Sequence, residues 1–162
     1  MAALAPEIVA RVIDHLPVAR LAVIDGEGRP DAMPIVFARA GDYVFSPIDG
    51  KPKKHARLAR LEHIRAHPAV TLTLDHYAED WNELWWIRLE ADARVAVGEH
   101  AYWDDAVSAL RHKYPQYRAT PLFIGDPTMV VMSWQTVRWW AAGGMLALEA
   151  WLARCETGEG AR

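Results

Sequence analysis

The sequence has almost no thiol chemistry. Its one cysteine among 162 residues, Cys155, excludes an internal disulfide and suits a reducing compartment. Lying near the end of the chain without a paired histidine and acid, it reads as a free thiol rather than a nucleophile. Long apolar runs are missing too. Nothing approaches the roughly 18 residues that span a bilayer, and the opening MAALAPEIVARVIDHL carries acids where a signal peptide would be apolar. A cytoplasmic protein with no membrane partner is therefore expected. Neither sign of charge dominates: the net charge is -3 with 24% charged residues, which gives no reason to expect nucleic acid as a partner. No strand leads into G-x-G-x-x-G; Gly26 and Gly28 sit in a hairpin followed by another strand, the wrong context for a dinucleotide-binding fold. Phenylalanine is scarce, three residues against eight tryptophans.

What is present suits one packed domain. A hydrophobic content of 52% supports a single core over residues 1–155, with 156–162 as a frayed tail. Pro6 to Leu16 carries Ile8, Val9, Val12, Ile13 and Leu16 at helical spacing, which predicts an amphipathic helix lidding the domain. Val18–Asp25, Asp31–Arg39 and Tyr43–Pro47 read as a meander of three strands. His55–His67 reads as a helix ended by Pro68. Val70, Leu72 and Leu74 alternate with Thr71, Thr73 and Asp75 in another strand, and Leu84–Val97 is a long one. A helix over Ala101–Tyr114, a proline-rich connection over Pro115–Pro127, a strand over Thr128–Trp140 and a closing helix over Met145–Arg154 complete the chain. Strands without regular βαβ alternation predict a mainly β fold, an antiparallel barrel with peripheral helices.

The segment Gly50–Arg57 places Lys51, Lys53, Lys54 and Arg57 between a strand and a helix start. Helix-start amides, lysine charge and an arginine fork one turn in suit a phosphate. Gly50 and Pro52 shape the loop for close backbone approach. The cluster taken alone also suits an ordinary solvated face.

In order and spacing, a series of segments resembles the pyridoxamine 5'-phosphate oxidase-like split barrels, and within them the deazaflavin-dependent group. These are Arg20–Pro30 (RLAVIDGEGRP), Met33–Phe37 (MPIVF), Asp49–Lys54 with Leu58 and Leu61, Ile64–Pro68, Asp75–Trp81 with Leu84–Trp86, Lys113–Tyr117 (KYPQY) and Arg138–Trp139. The resemblance implies an FMN-binding split β-barrel, a homodimer with its cofactor at the subunit interface, and an oxidoreductase that passes a hydride between coenzyme F420 and a small organic substrate. It implies that Lys51, Lys53 and Arg57 hold the cofactor phosphate, that Ser46 and Pro47, Ile48 and Asp49 line the ring edge, and that Pro34, Ile35 and Val36 lie beneath the ring. Gly50-Lys51-Pro52 stands where many flavin-binding relatives have a hydroxyl residue. FMN is the alternative cofactor, since phosphate-gripping lysines serve both. A non-catalytic flavin or haem carrier of the same fold is the other class, with His76 as its axial-ligand candidate.

Trp85 and Trp86 are consecutive in a strand, so their rings point to opposite faces. One is expected inside; the other faces a helix, a partner subunit or the cofactor ring. Trp139 is expected to stack on the ring or to pack on the sheet. His76 and Tyr77 lie beside these aromatics as candidate proton donors to a reduced substrate, or as part of a solvated hairpin tip. His63 and His67 share an i, i+4 spacing without a third ligand, so no metal site is expected.

Overall fold

The computed structural model describes residues 3–49 and 54–158, with the side chains of residues 54–58 outside that description. Among the described residues seven strands form one antiparallel sheet: β1 (Ala19–Ile24), β2 (Pro30–Ile35), β3 (Ala38–Ala40), β4 (Tyr43–Pro47), β5 (Ala69–His76), β6 (Trp85–Val97) and β7 (Thr128–Ala141). Their order is β2-β1-β5-β6-β7-β4-β3. The two edge strands, β2 and β3, are consecutive in the chain and separated only by Val36 and Phe37. The sheet must therefore curl until its edges meet, which makes a barrel split along that seam.

Among the described residues four α-helices serve this barrel: α1 (Pro6–His15), α2 (Lys54–Ala66), α3 (Trp103–Lys113) and α4 (Gly144–Thr157). The alternation read in the sequence sorts side chains to two faces. Leu21, Val23, Leu72, Leu74, Trp85, Ile87 and Leu89 fill the interior together with Val9, Val12 and Ile13 of α1 and Leu148, Trp151 and Leu152 of α4. A second cluster lies outside the sheet, where Ala106 and Leu110 of α3 cover Phe45, Ala96, Met129 and Val131. Met129 to Met132 are consequently buried without alternation. Beyond them α3 no longer covers the sheet, and the outer face of β1, β5, β6 and the second half of β7 is left to solvent.

The structure departs from the sequence reading in three places. The expected strand Asp31–Arg39 is broken at Phe37, whose N–H is bonded by the Tyr114 hydroxyl at 3.0 Å and whose carbonyl accepts from the same hydroxyl at 2.9 Å and from Lys113 Nζ at 3.0 Å. Side chains thus replace the ladder partners at that residue. The closing helix runs on to Thr157, so Glu156 is helical rather than part of a tail. Arg11 of α1 grips its carboxylate through Nε and Nη2 at 2.8 and 3.0 Å, and Gly158 ends the helix in the left-handed conformation at φ 79°. Thirdly, β6 and β7 are out of simple register at Glu90/Ala91, with Gln135 as the extra residue on β7.

Candidate functional site

The end of β4 is built as a closed corner. Pro47 pairs with Met129 and the Ile48 N–H bonds the Thr128 carbonyl at 3.0 Å. Ser46 and Asp49 are the two buried polar residues of this corner. Asp49, 5% exposed, accepts a 2.7 Å hydrogen bond from the Tyr117 hydroxyl at its Oδ2. Burial first, and that hydrogen bond second, push the Tyr117 phenol well above its ordinary value of 10.0. The expected phosphate ligands Lys51 and Lys53 lie outside the described residues, as does the Arg57 side chain. The backbone of α2 is described from Lys54 onward, so the helix already runs within the basic segment.

Of the residues expected beneath a cofactor ring, Pro34 is exposed, Val36 is half-buried and Ile35 belongs to the interior. The chain brings them towards Ser46–Asp49, because β2 leads straight into β3 and β3 pairs with β4, Ala38 opposite Phe45. Lys113 and Tyr114 pin this junction. Pro17 has no N–H to offer the Ile13 carbonyl four residues back at the end of α1; Lys113 Nζ fills that place at 2.7 Å. The same ammonium sits 3.8 Å from the Phe37 ring centroid, and burial draws it from 10.5 down to about 7.

The aromatic residues resolve into an inner and an outer set. Trp85, 2% exposed, is the inward ring: Trp151 meets it edge-on at 4.8 Å and His76 stacks at 6.0 Å. Trp85 is thereby out of reach of a ring bound on the outer face. His76 shares this interior position, and burial, followed by the charge of Arg154, holds its imidazole below 6.5. Tyr77, by contrast, is 72% exposed. Trp86 is the outward ring, opposite Trp140 in the ladder and under the Arg88 guanidinium at 5.7 Å. Trp139 is turned to the interior beside Ile87, and Trp140, 45% exposed, takes the outer position. The bulge explains the assignment. Val130, Met132 and Trp134 face the interior before Gln135, and Val137, Trp139 and Ala141 face it afterwards, so one extra residue reverses the phase of the strand.

Across the outer face the register forms rows. Arg20, Thr73, Arg88 and Arg138 make one, and Asp75, Trp86 and Trp140 the next. Asp75 pairs with Arg20 and Glu90 with Arg138, at 2.9 Å for the latter; among the described residues no carboxylate pairs with Arg88. Beside these rows lies an open groove of about 530 Å³ lined by residues including Ala22, Thr71, Glu90, Asp92, Gln135 and Thr136. Trp140, Arg88, Tyr117 and this groove carry no signal in the sequence that assigns them a role, although Tyr117 closes the KYPQY segment.

The two halves of the expected site lie far apart in one chain. Ser46–Asp49 borders Thr128 and Met129, and Met129 pairs with Ala96; Trp140 pairs with Trp86. Ten residues of β6, about 33 Å of strand, separate those two rungs. Among the described residues no group of three or more metal-binding side chains gathers, and no helix is long and apolar enough to cross a membrane.

No curated protein matches the chain. Solved structures do. The heme storage protein HutZ from Vibrio cholerae superposes with a TM-score of 0.63 at 16% identity, over 86% of this chain and 95% of that one. A heme binding protein from Mycobacterium smegmatis gives 0.65 at 19%, over 94% of this chain and 62% of that one. An FAD-binding protein from Mesorhizobium loti gives 0.57 at 17%, over 84% and 94%. At such identities these likenesses establish the split-barrel fold. Residues 4–141, from the start of the first helix region to the last residue of β7, match the pyridoxamine 5'-phosphate oxidase sequence family. With barrel, seam and strand order agreeing over that span, the chain belongs to the pyridoxamine 5'-phosphate oxidase family of split barrels.

Proposed function

We propose that this protein is a homodimeric oxidoreductase that holds a phosphate-bearing flavin-type cofactor and moves a hydride between it and a small organic substrate. The sequence resemblance favours coenzyme F420, with FMN as the alternative. The observation that carries the reading is α2 running from Lys54, within the basic segment that follows the closed corner of β4. Helix-start amides and lysine charge together favour a phosphate over other ligands.

When bound, the cofactor supplies the hydride chemistry. The chain supplies the rest. Lys51, Lys53 and Arg57 neutralise the phosphate, while the outward Trp86 and Trp140, with Arg88 above Trp86, offer an aromatic and cationic surface to a planar ring. The strand length between the two half-sites supports a two-fold dimer, in which the tryptophan end of one subunit meets the phosphate end of the other. Tyr77, the exposed member of the expected donor pair, is the better placed to pass a proton to a reduced substrate; the half-buried His76 packs beside Trp85 and Trp151.

A second reading, haem binding without hydride transfer, is favoured by the structural likeness to proteins described as heme storage and heme binding. It requires an axial ligand, for which the half-buried His76, beside Trp85 and Trp151, is the candidate. Titration of the purified protein with coenzyme F420, FMN and haem in turn, read by fluorescence or absorbance, separates the readings. Binding of a flavin-type cofactor that is weakened at least a hundredfold by Lys53→Ala with Arg57→Ala is expected, as two charge-assisted phosphate contacts are lost. Haem binding unaffected by that pair, with both flavins ignored, would replace the proposal by the second reading.

A further inference from the structure

The outer face of the sheet carries one positive charge that its neighbours leave uncompensated. Arg20, Arg88 and Arg138 stand in one row across β1, β6 and β7, with Thr73 between the first two. Asp75 pairs with Arg20 and Glu90 with Arg138. Among the described residues no carboxylate pairs with Arg88. Asp92, the acid after Glu90 along β6, is four residues from Arg88, about 13 Å of strand, and accepts from Gln135 Nε2 at 3.1 Å.

Arg88 is exposed, and its guanidinium lies 5.7 Å from the centroid of the Trp86 ring. Trp140, opposite Trp86 in the ladder, presents a second outward ring at 45% exposure. A guanidinium stacks on an aromatic face while its N–H fork stays free to meet an anion. A planar ligand at these tryptophans therefore meets the surplus charge of the row at Arg88.

Aromatic surface takes a planar ring in any charge state; the guanidinium discriminates between charge states. A hydride carries two electrons and one proton. When it leaves a C–H bond of the substrate, the substrate is oxidised. The ring that accepts it forms the new bond to hydrogen, is reduced, and gains one negative charge.

We propose that Arg88 holds the negative charge that the ring gains on reduction, and so favours transfer of the hydride from substrate to cofactor. The inference rests on the flavin-type reading given above and deepens it by giving that reaction a direction. It is independent of the phosphate contacts, because the phosphate is common to the oxidised and reduced forms and cancels when their affinities are compared. By linkage, a tighter grip on the reduced form raises the reduction potential of the bound cofactor by the same free energy.

The test titrates the wild type and its variants with oxidised and with anaerobically reduced FMN and coenzyme F420, far-UV circular dichroism confirming the fold. Arg88→Gln is expected to lower the ratio of reduced to oxidised affinity about tenfold, the scale of one unit charge in a partly solvated contact. For a two-electron couple that is a fall of about 30 mV in potential. Arg88→Lys keeps the charge and is expected to retain most of the ratio. Arg94→Gln, the same loss of charge at another exposed position of β6, is expected to leave it unchanged. Thr73→Glu sets a carboxylate across the ladder from Arg88 and is expected to lower the ratio with Arg88 still present, which keeps the proposal testable if Arg88→Gln fails to fold. A wild-type ratio in folded Arg88→Gln or folded Thr73→Glu overturns the role of Arg88 and leaves the cofactor reading standing. 2-Naphthoate and 2-naphthamide form a probe pair of the same ring with and without a negative charge. A preference for the carboxylate that Arg88→Gln removes, beside an unchanged redox ratio, assigns Arg88 to an anionic substrate and also overturns the proposal. Failure of the wild type to bind either cofactor in either state overturns the cofactor reading, and this inference with it.

Discussion

Trp86 and Trp140 stand opposite each other on β6 and β7 with both rings on the outer face, while Trp85, one residue earlier, is closed between His76 and Trp151. Adjacent residues of the same type thus carry different burdens. Trp85→Ala removes a fully enclosed ring and is expected to cost about 3–5 kcal/mol of unfolding free energy. Trp140→Ala loses a partly exposed cross-strand pair and is expected to cost about 1 kcal/mol or less. Urea unfolding of the two variants measures the difference, and the reverse order would contradict the assignment of faces.

The outward pair should matter instead to association. In the proposed homodimer the face bearing Trp86, Trp140 and Arg88 beside an open groove meets the partner subunit. Placing charges there, with Trp86→Glu and Trp140→Glu together, is expected to convert a dimer into a folded monomer and to abolish cofactor binding in parallel. Sedimentation velocity with a cofactor titration checks both. A dimer that survives the double substitution would move the interface to another face.

How legible this was in the sequence depended on which interactions set each feature. Alternation in Val70–Asp75 announced a half-buried strand, because period two is a local property of the backbone. The choice of Trp85 as the inner ring was open, since neighbours in a strand differ only by what packs on each face, here Trp151 from α4. Which ring of the Trp139–Trp140 pair packs on the sheet was also open, and was decided by Gln135, an extra residue that no composition or turn signal marks. The break at Phe37 was hidden for a similar reason: its cause lies in Lys113 and Tyr114, more than seventy residues away. The basic segment showed in residue types alone only as a charge cluster, equally suited to a phosphate and to a solvated face.

Gly41 tests a tight approach that the sequence showed only as a turn. Its φ is +56°, and a Cβ added there would come within 2.6 Å of Cζ of the Tyr102 ring. Gly41→Ala therefore combines left-handed strain with an aromatic ring displaced from the β3–β4 turn. A loss of about 1 kcal/mol or more is expected, with Gly26→Ala, where nothing lies within 4 Å, as a control of much smaller effect in the same thermal unfolding assay.

The α1–β3–α3 junction gives the fold a pH dependence whose sign follows from two neighbours. Lys113 holds its proton to 10.5 in the unfolded chain but only to about 7 when buried. Between those values the unfolded chain carries a proton that the folded protein has released, so stability rises with pH across that window. Tyr114 acts in the opposite sense and higher up: burial raises its phenol from 10.0 to about 12, so the folded protein keeps a proton the unfolded chain has lost, and stability falls over that range. A maximum near pH 10 follows from the pair. Urea unfolding between about pH 7 and 9 isolates the first limb, below the onset of tyrosine ionisation. Wild-type stability should climb across it, and Lys113→Met, which keeps the aliphatic stem against Phe37 but has no titrating amine, should flatten the climb. An undiminished slope in Lys113→Met would assign the rise to another group.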